Sequence, residues 1–278
     1  KTEFSDKDGS ATSTEKPVSM ESGQAFCLVP LEGFEFPFKF GLDSDWLLNP
    51  DRTDFDDDGE LWHQEIMAVV PRLIRRYILS LSKEELSVEE WAECLDIFPN
   101  KENTLTGHLD YLNTDEFKQL MKMELAELDF IRCRDGIFRN PRDTRDFPPI
   151  RHSNPRMKKT TYNQLVDECC KCDIIDSSAI SNNTRLYLYH MSNETFLAYP
   201  NESEIDIENV KLLWDPKEPT AYLHLLDIFS EISFEGGIQI TPLQNGGWAE
   251  LYDENIIFQP IPKSGSSKER PLFDQLQN

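Results

Sequence analysis

The chain has 278 residues, enough for one large or two ordinary domains with an ample core. It carries 28 basic against 51 acidic residues, a net charge of −23, which repels nucleic-acid backbones and anionic membrane surfaces and favours basic protein partners or simple solubility. It shows neither a signal peptide nor an apolar run of membrane length, and six cysteines with a Cys169-Cys170-Lys171-Cys172 cluster suit a reducing compartment better than a disulfide framework.

From these features the chain is expected to be intracellular, cytoplasmic or nuclear. Without an initiator Met, it reads as a fragment or processed product of something longer. Asn182, Asn193 and Asn201 head N-x-S/T triplets, which matter only in a secreted protein and are read here as incidental.

Residues 1–22 are Ser, Thr, Lys, Asp and Glu with almost no apolar content, and a disordered tail or loop is expected there. Phe26 to Phe40 is short, apolar and aromatic, broken by Gly33 and Pro37, as paired strands with a tight turn would be. The loop Leu48-Asn49-Pro50-Asp51-Arg52-Thr53-Asp54 follows. Then Trp62, Ile66, Val69, Val70, Leu73, Ile74, Tyr77, Ile78 and Leu81 recur at helical spacing, predicting one buried face, with Pro71 kinking or restarting the helix.

This stretch, residues 24–81, resembles the end of the middle domain in GHKL-type chaperone ATPases, the class of the ninety-kilodalton heat-shock chaperones, and most closely the sacsin and NO VEIN branch. The resemblance rests on Leu47, Leu48, Asn49, Arg52, the acidic run Asp54 to Asp58, Trp62 and the helix to Leu81. It departs from the family's Leu-x-x-Ser-Arg-Glu loop at Asp51, in place of Ser, and at Thr53, in place of Glu. The resemblance implies an S5-like, strand-loop-helix domain end. It also implies that Arg52 reaches the γ-phosphate of ATP/Mg held by a preceding domain, with Asn49 beside the nucleotide; an arginine so placed would stabilise transition-state charge. A structural alternative is a surface Arg52 paired with Asp51 or Asp54.

The acid run carries a second pattern. Asp54, Asp56, Asp58, Gly59 and Glu65 fit D-x-D-x-D-G-x5-E, the loop in which carboxylates surround calcium and a glycine makes the sharp turn. The context lacks an entering helix, because Asn49-Pro50 reads as loop, and Trp62 occupies the ninth position. The other reading is a solvated, acidic helix N-terminus favoured by the helix dipole.

Farther on, Ser87-Val88-Glu89-Glu90 is a capping box ahead of Trp91, Leu95 and Phe98, with Pro99 ending the helix and a loop from Asn100 to Gly107. Thr114 caps a helix whose buried stripe is Phe117, Leu120, Met121, Leu125 and Leu128. Asp129 to Cys133, Asp135-Gly136 and Ile137-Phe138 read as strand, turn and return strand. The string also resembles a recurrent sacsin-like element through Ile131, Asp135, Gly136, Phe138 and Pro141. A basic loop is expected over 151–160, then a helix from Thr161 through Leu165, Val166 and Cys169. Cys169 and Cys172 have C-x-x-C spacing, but a zinc site needs four ligands and no second C-x-x-C pair is found; Cys133 with His152 or His190 is the alternative, and free or buried thiols are expected. Leu186–Tyr189 and Thr195–Tyr199 alternate around Met191-Ser192-Asn193, predicting a hairpin, and Glu202 to Glu208 reads as an acidic loop. Pro219 opens a helix with Tyr222, Leu223, Leu226 and Phe229. Ile238 and Ile240 form a strand, Asn245-Gly246-Gly247 a turn, and Trp248 to Phe258 a further strand before a polar tail.

The expected organisation is therefore α+β: a tail over 1–22, the middle-domain end over 23–82, a mixed helix and β-hairpin region over 83–262 that binds partners or clients, and a mostly disordered tail over 263–278. The GHKL nucleotide site needs an Asn-bearing helix, an Asp-x-Gly-x-Gly turn and a glycine lid. The sequence has none of these, so the chain is not expected to bind ATP tightly alone. Two functions follow. One is a downstream portion of a sacsin-like, ATPase-linked chaperone that uses Arg52. The other is a non-enzymatic, acidic protein-interaction module, calcium-responsive through Asp54, Asp56, Asp58 and Glu65.

Overall fold

The computed structural model describes residues 23–27, 29–51, 55–99, 107–147, 163, 166–215, 222, 225, 226, 228, 229, 232, 238–243 and 247–250. Expectations for 1–22, the loop over 100–106, the basic loop over 151–160, Pro219, Asn245-Gly246 and everything after Glu250 lie outside these residues. The fold is mixed α+β, in two units: Lys1–Phe147 with Asp173–Tyr199, and Pro148–Cys172 with Pro200–Asn278.

In the first unit, β1 (Gly23–Cys27) pairs antiparallel with β2 (Val29–Phe36), and β3 (Gly41–Asp43) runs parallel to β1 on its other side. The reversal falls between Cys27 and Val29, which are partners; Gln24 pairs with Glu35 but Phe26 with Pro30, so the ladder slips across the stretch of β2 that contains Gly33. Gly33 thus lies where the pairing is irregular but is not the tight turn, and Pro37, lacking a ladder donor, follows directly after β2. Backbone crowding fixes Gly23 instead: a Cβ there would lie 1.7 Å from the Phe38 carbonyl oxygen. Phe36, Phe38 and Phe40 then pack their rings in tilted and edge-on pairs at 5.5–5.6 Å, and Phe38 reaches Phe117 and Tyr187.

The long helical pattern resolves into α1 (Glu60–Met67) and α2 (Val70–Leu81), with Pro71 in the first turn of α2, where a missing N–H costs nothing. The buried face is His63, Met67, Val70, Ile74, Ile78 and Leu81. Trp62, Val69 and Leu73, expected to face inward, are exposed. Apolar residues populate both sides of this run, so periodicity alone did not select the inner one.

α3 (Val88–Leu95) starts at the expected capping box: Ser87 Oγ accepts from the Glu90 amide, and Glu90 accepts from the Ser87 amide at 2.9 Å. α4 (Asp115–Leu125) is capped by Thr114 and buries Phe117, Met121 and Leu125. Arg75 of α2 donates to the Glu124 carbonyl at 2.9 Å, joining α2 to α4. The core of sheet, α2, α3 and α4 is continuous across residues 82–83, so both sides of that expected junction share one interior.

β4 (Ile131–Arg132) and β5 (Phe138–Arg139) form the expected hairpin around Asp135-Gly136. Gly136 has φ +83°, open to glycine at little cost. Asp135 accepts from the Ile137 amide and from both terminal nitrogens of Arg139, chiefly the latter, which holds its carboxyl below its ordinary range. Arg139 also meets Asp173 at 2.7 Å, tying the hairpin to β6 (Thr144–Arg145) and β7 (Asp173–Ile174), a parallel pair.

The hairpin expected around Met191-Ser192-Asn193 is instead a helix, α5 (Asn182–Met191). Leu186 to Tyr189 has strand-like alternation, but tertiary hydrogen bonds override it. Ser181 caps the helix through the Thr184 amide and also donates to Asp96 at 2.6 Å. Thr184 donates to the Leu95 carbonyl, and Asn183 donates to that of Phe98. Thr184, Leu188 and Met191 form the buried stripe. Asn193 and Glu194 follow with φ 54° and 63°, so the residues read as a hairpin apex are the helix's left-handed exit.

In the second unit, helical residues 166–169 precede a bridge between Cys170 and Ile205. The acidic stretch expected as loop is a 3-10 turn at Glu202–Glu204, boxed by Asn201 and Glu204, leading into α6 (Ile207–Leu212), whose cap is Asp206. Here Asn and Asp cap helix starts, which an overall acidic composition does not reveal. β8 (Gln239–Pro242) and β9 (Trp248–Glu250) pair antiparallel, and Tyr222 donates to the Ile240 carbonyl at 2.8 Å.

Candidate functional site

The loop between β3 and α1 is held at its base from several sides. Leu48 and Phe55 form an isolated antiparallel bridge, and the Asp56 amide donates to the Leu47 carbonyl at 2.9 Å. His63 on α1 is fully buried and donates Nε2–H to the same carbonyl, also at 2.9 Å. Trp62, one residue earlier, donates its indole N–H to the Asp45 carbonyl at 2.6 Å. The Phe55 ring sits 5.0 Å from Trp46 and 4.5 Å from His63. Backbone pairing, two ring donors and an aromatic cluster therefore fix where the chain leaves and re-enters the loop.

Asn49 is half-buried and Asp51 exposed, while Arg52, Thr53 and Asp54 lie outside the described residues. The clamp itself, Trp46, Phe55 and His63, escaped the sequence reading. A signal existed: His63 falls four residues before Met67 on the buried stripe, a position where a polar side chain needs a partner.

The calcium pattern occupies the same turn. Asp56 Oδ1 accepts from the Asp58 amide at 3.0 Å, as a cap does, and Asp58 and Glu65 are exposed. Glu60, whose carbonyl would be the seventh-position ligand, is already the first residue of α1. Among the described residues no group of three His, Cys, Asp or Glu is placed to hold a metal ion, and Asp54 lies outside them.

Gly59 has φ −91°, so no positive φ demands glycine there. The demand is space: a Cβ would lie 2.8 Å from His63 Cε1 and 2.9 Å from Leu47 Cβ. Gly59→Ala is therefore expected to push the His63 ring off the Leu47 carbonyl and cost about 1–3 kcal/mol. Urea denaturation checks this, and an unchanged midpoint would contradict it.

The six cysteines are free thiols. Cys169 is buried, and burial, then Glu168 and Asp206, pushes its thiol up to about 12, leaving it protonated at neutral pH and a poor nucleophile or ligand.

No protein-family model, curated protein or solved structure matches the chain. Among the described residues, no helix is long and apolar enough to cross a membrane.

Proposed function

We propose that this chain is a downstream portion of a sacsin-like, GHKL-ATPase-linked chaperone or scaffold protein. In this reading Arg52, with Asn49 beside it, contacts ATP/Mg held by an upstream domain, and the remainder of the chain binds protein partners or clients. The observation that carries it is the clamped stem: strand β3, a loop pinned at Leu48 and Phe55, then a helix locked to that loop through Trp62 and His63. An arginine delivered from a fixed stem loses less freedom on meeting an anion, and its planar fork suits phosphate oxygens. The order strand, loop, acidic turn, Trp-bearing helix is also the order that the resemblance requires.

The test is steady-state ATP turnover, with nucleotide affinity measured alongside, in the polypeptide that joins this chain to its upstream domain. Arg52→Ala is expected to lower turnover about a hundredfold with affinity retained, the scale for removing one preorganised transition-state donor. Equal turnover in the two proteins, or none in either, would sink the reading. A calcium-dependent rise in melting temperature that disappears in Glu65→Gln would then favour the acidic, calcium-responsive interaction module.

A further inference from the structure

The side of α1 and α2 that faces away from the core is unusually apolar for an exposed surface. Leu61 is 78% exposed, Trp62 48%, Val69 47%, Leu79 42% and Leu73 37%. With Glu65, Arg72 and Arg76 among them they follow steps of three or four residues (Leu61, Glu65, Val69, Arg72, Arg76, Leu79, with Trp62 and Leu73 beside them), so they share one side of the run from α1 into α2. The bond from Trp62 to the Asp45 carbonyl holds the largest of them in place before anything binds.

Charge is distributed along this face with a polarity. Glu65 precedes Val69, and Arg72 and Arg76 follow it. All three are exposed. Arg72 approaches Glu124 at 3.5 Å, yet about three quarters of its side chain remains open. A partner that covered this face would need arginines at one end, carboxylates at the other and an apolar middle.

A second copy of the same face, turned antiparallel, meets that need. Trp62 and Arg76 lie seven residues either side of Val69, and Glu65 and Leu73 lie four. A twofold axis near Val69 therefore sets Trp62 of one copy against Arg76 of the other, a cation–π arrangement, and brings Glu65 beside Leu73 and Arg72. Glu65 of each copy then meets Arg72 of the other, once on either side of the axis, as a self-complementary interface requires. We infer that two copies of this chain pair antiparallel through the outer face of α1 and α2, about a twofold axis near Val69.

Sedimentation equilibrium of the 278-residue chain tests the pairing without nucleotide, so its result is separate from that of the ATPase reading. A monomer–dimer equilibrium is expected in the micromolar range. Leu73→Asp, which sets two charges beside the axis, should leave only monomer. Arg76→Glu acts twice in a symmetric pair and should weaken it about tenfold or more, a difference of about 1.4 kcal/mol. Glu65→Arg and Arg72→Glu should each weaken the dimer, and together they should restore it. All these positions are exposed, so circular dichroism should match wild type. A wild type that stays monomeric throughout would overturn the proposal and leave the face to a different protein. So would a dimer whose strength Leu73→Asp and Arg76→Glu leave unchanged.

Discussion

Replacing Phe38 by alanine is expected to destabilise the first unit by about 3–5 kcal/mol, the usual cost of deleting a buried ring. Phe38 is fully buried, and its ring sits 5.6 Å from both Phe36 and Phe40, 6.2 Å from Phe117 on α4 and 6.1 Å from Tyr187 on α5. The sheet and two helices thus share one side chain, and no single neighbour can relax into the space it leaves. Urea denaturation followed by tryptophan fluorescence reads this directly. A loss below about 1 kcal/mol, in the range of an ordinary surface substitution, would mean that the sheet does not pack on these helices as described.

Arg185→Met is expected to be nearly as costly, but only near neutral pH. Arg185 on α5 donates to Asp146 through Nε at 3.0 Å and a terminal nitrogen at 2.6 Å, and both side chains are largely buried. Burial pushes the Asp146 carboxyl up to about 6, while Arg185 and the Phe147 amide pull it down. An unfolded aspartate titrates near about 4. The folded state therefore holds this proton more tightly, and the stability linked to it is fully present below about 4 and lost as pH rises through about 6. Removing Arg185 takes away the group that pulls the carboxyl down, so at pH 7 Asp146 must either stay charged without its partner or take up a proton against the solution, with an expected loss of up to about 3–5 kcal/mol. At pH 4 Asp146 is protonated, and most of that loss should vanish. Denaturation curves at the two pH values decide it. An equal loss at both would show that Arg185 acts by packing and not by compensating charge.

What could be read from the residues was mainly what local chemistry controls. The Ser87–Glu90 box, the Thr114 cap and the Asp135-Gly136 turn each satisfy backbone groups within a few residues, so short patterns identify them. α5 was misread because its helix is held by Leu95, Asp96 and Phe98, more than eighty residues upstream, while its own Leu-Tyr-Leu-Tyr alternation favours a strand. The same limit hid the inner face of α1. His63 is buried because the Leu47 carbonyl, sixteen residues away, accepts a hydrogen bond from its Nε2–H, and Trp62 takes the outer position. At the candidate site, the loop and its neighbours were evident from sequence, whereas the clamp of Trp46, Phe55 and His63 emerges only when strand and helix are brought together.

The proposed contact of Arg52 with a nucleotide held by an upstream domain is tested most directly by single-turnover ATP hydrolysis in a polypeptide that joins the two, wild type against Arg52→Ala, at saturating nucleotide. Saturation removes binding from the comparison and leaves the chemical step. The account predicts a rate constant about a hundredfold lower in the variant, with the nucleotide dissociation constant unchanged. Identical rate constants would contradict it and return Arg52 to the surface, paired with Asp51 or Asp54.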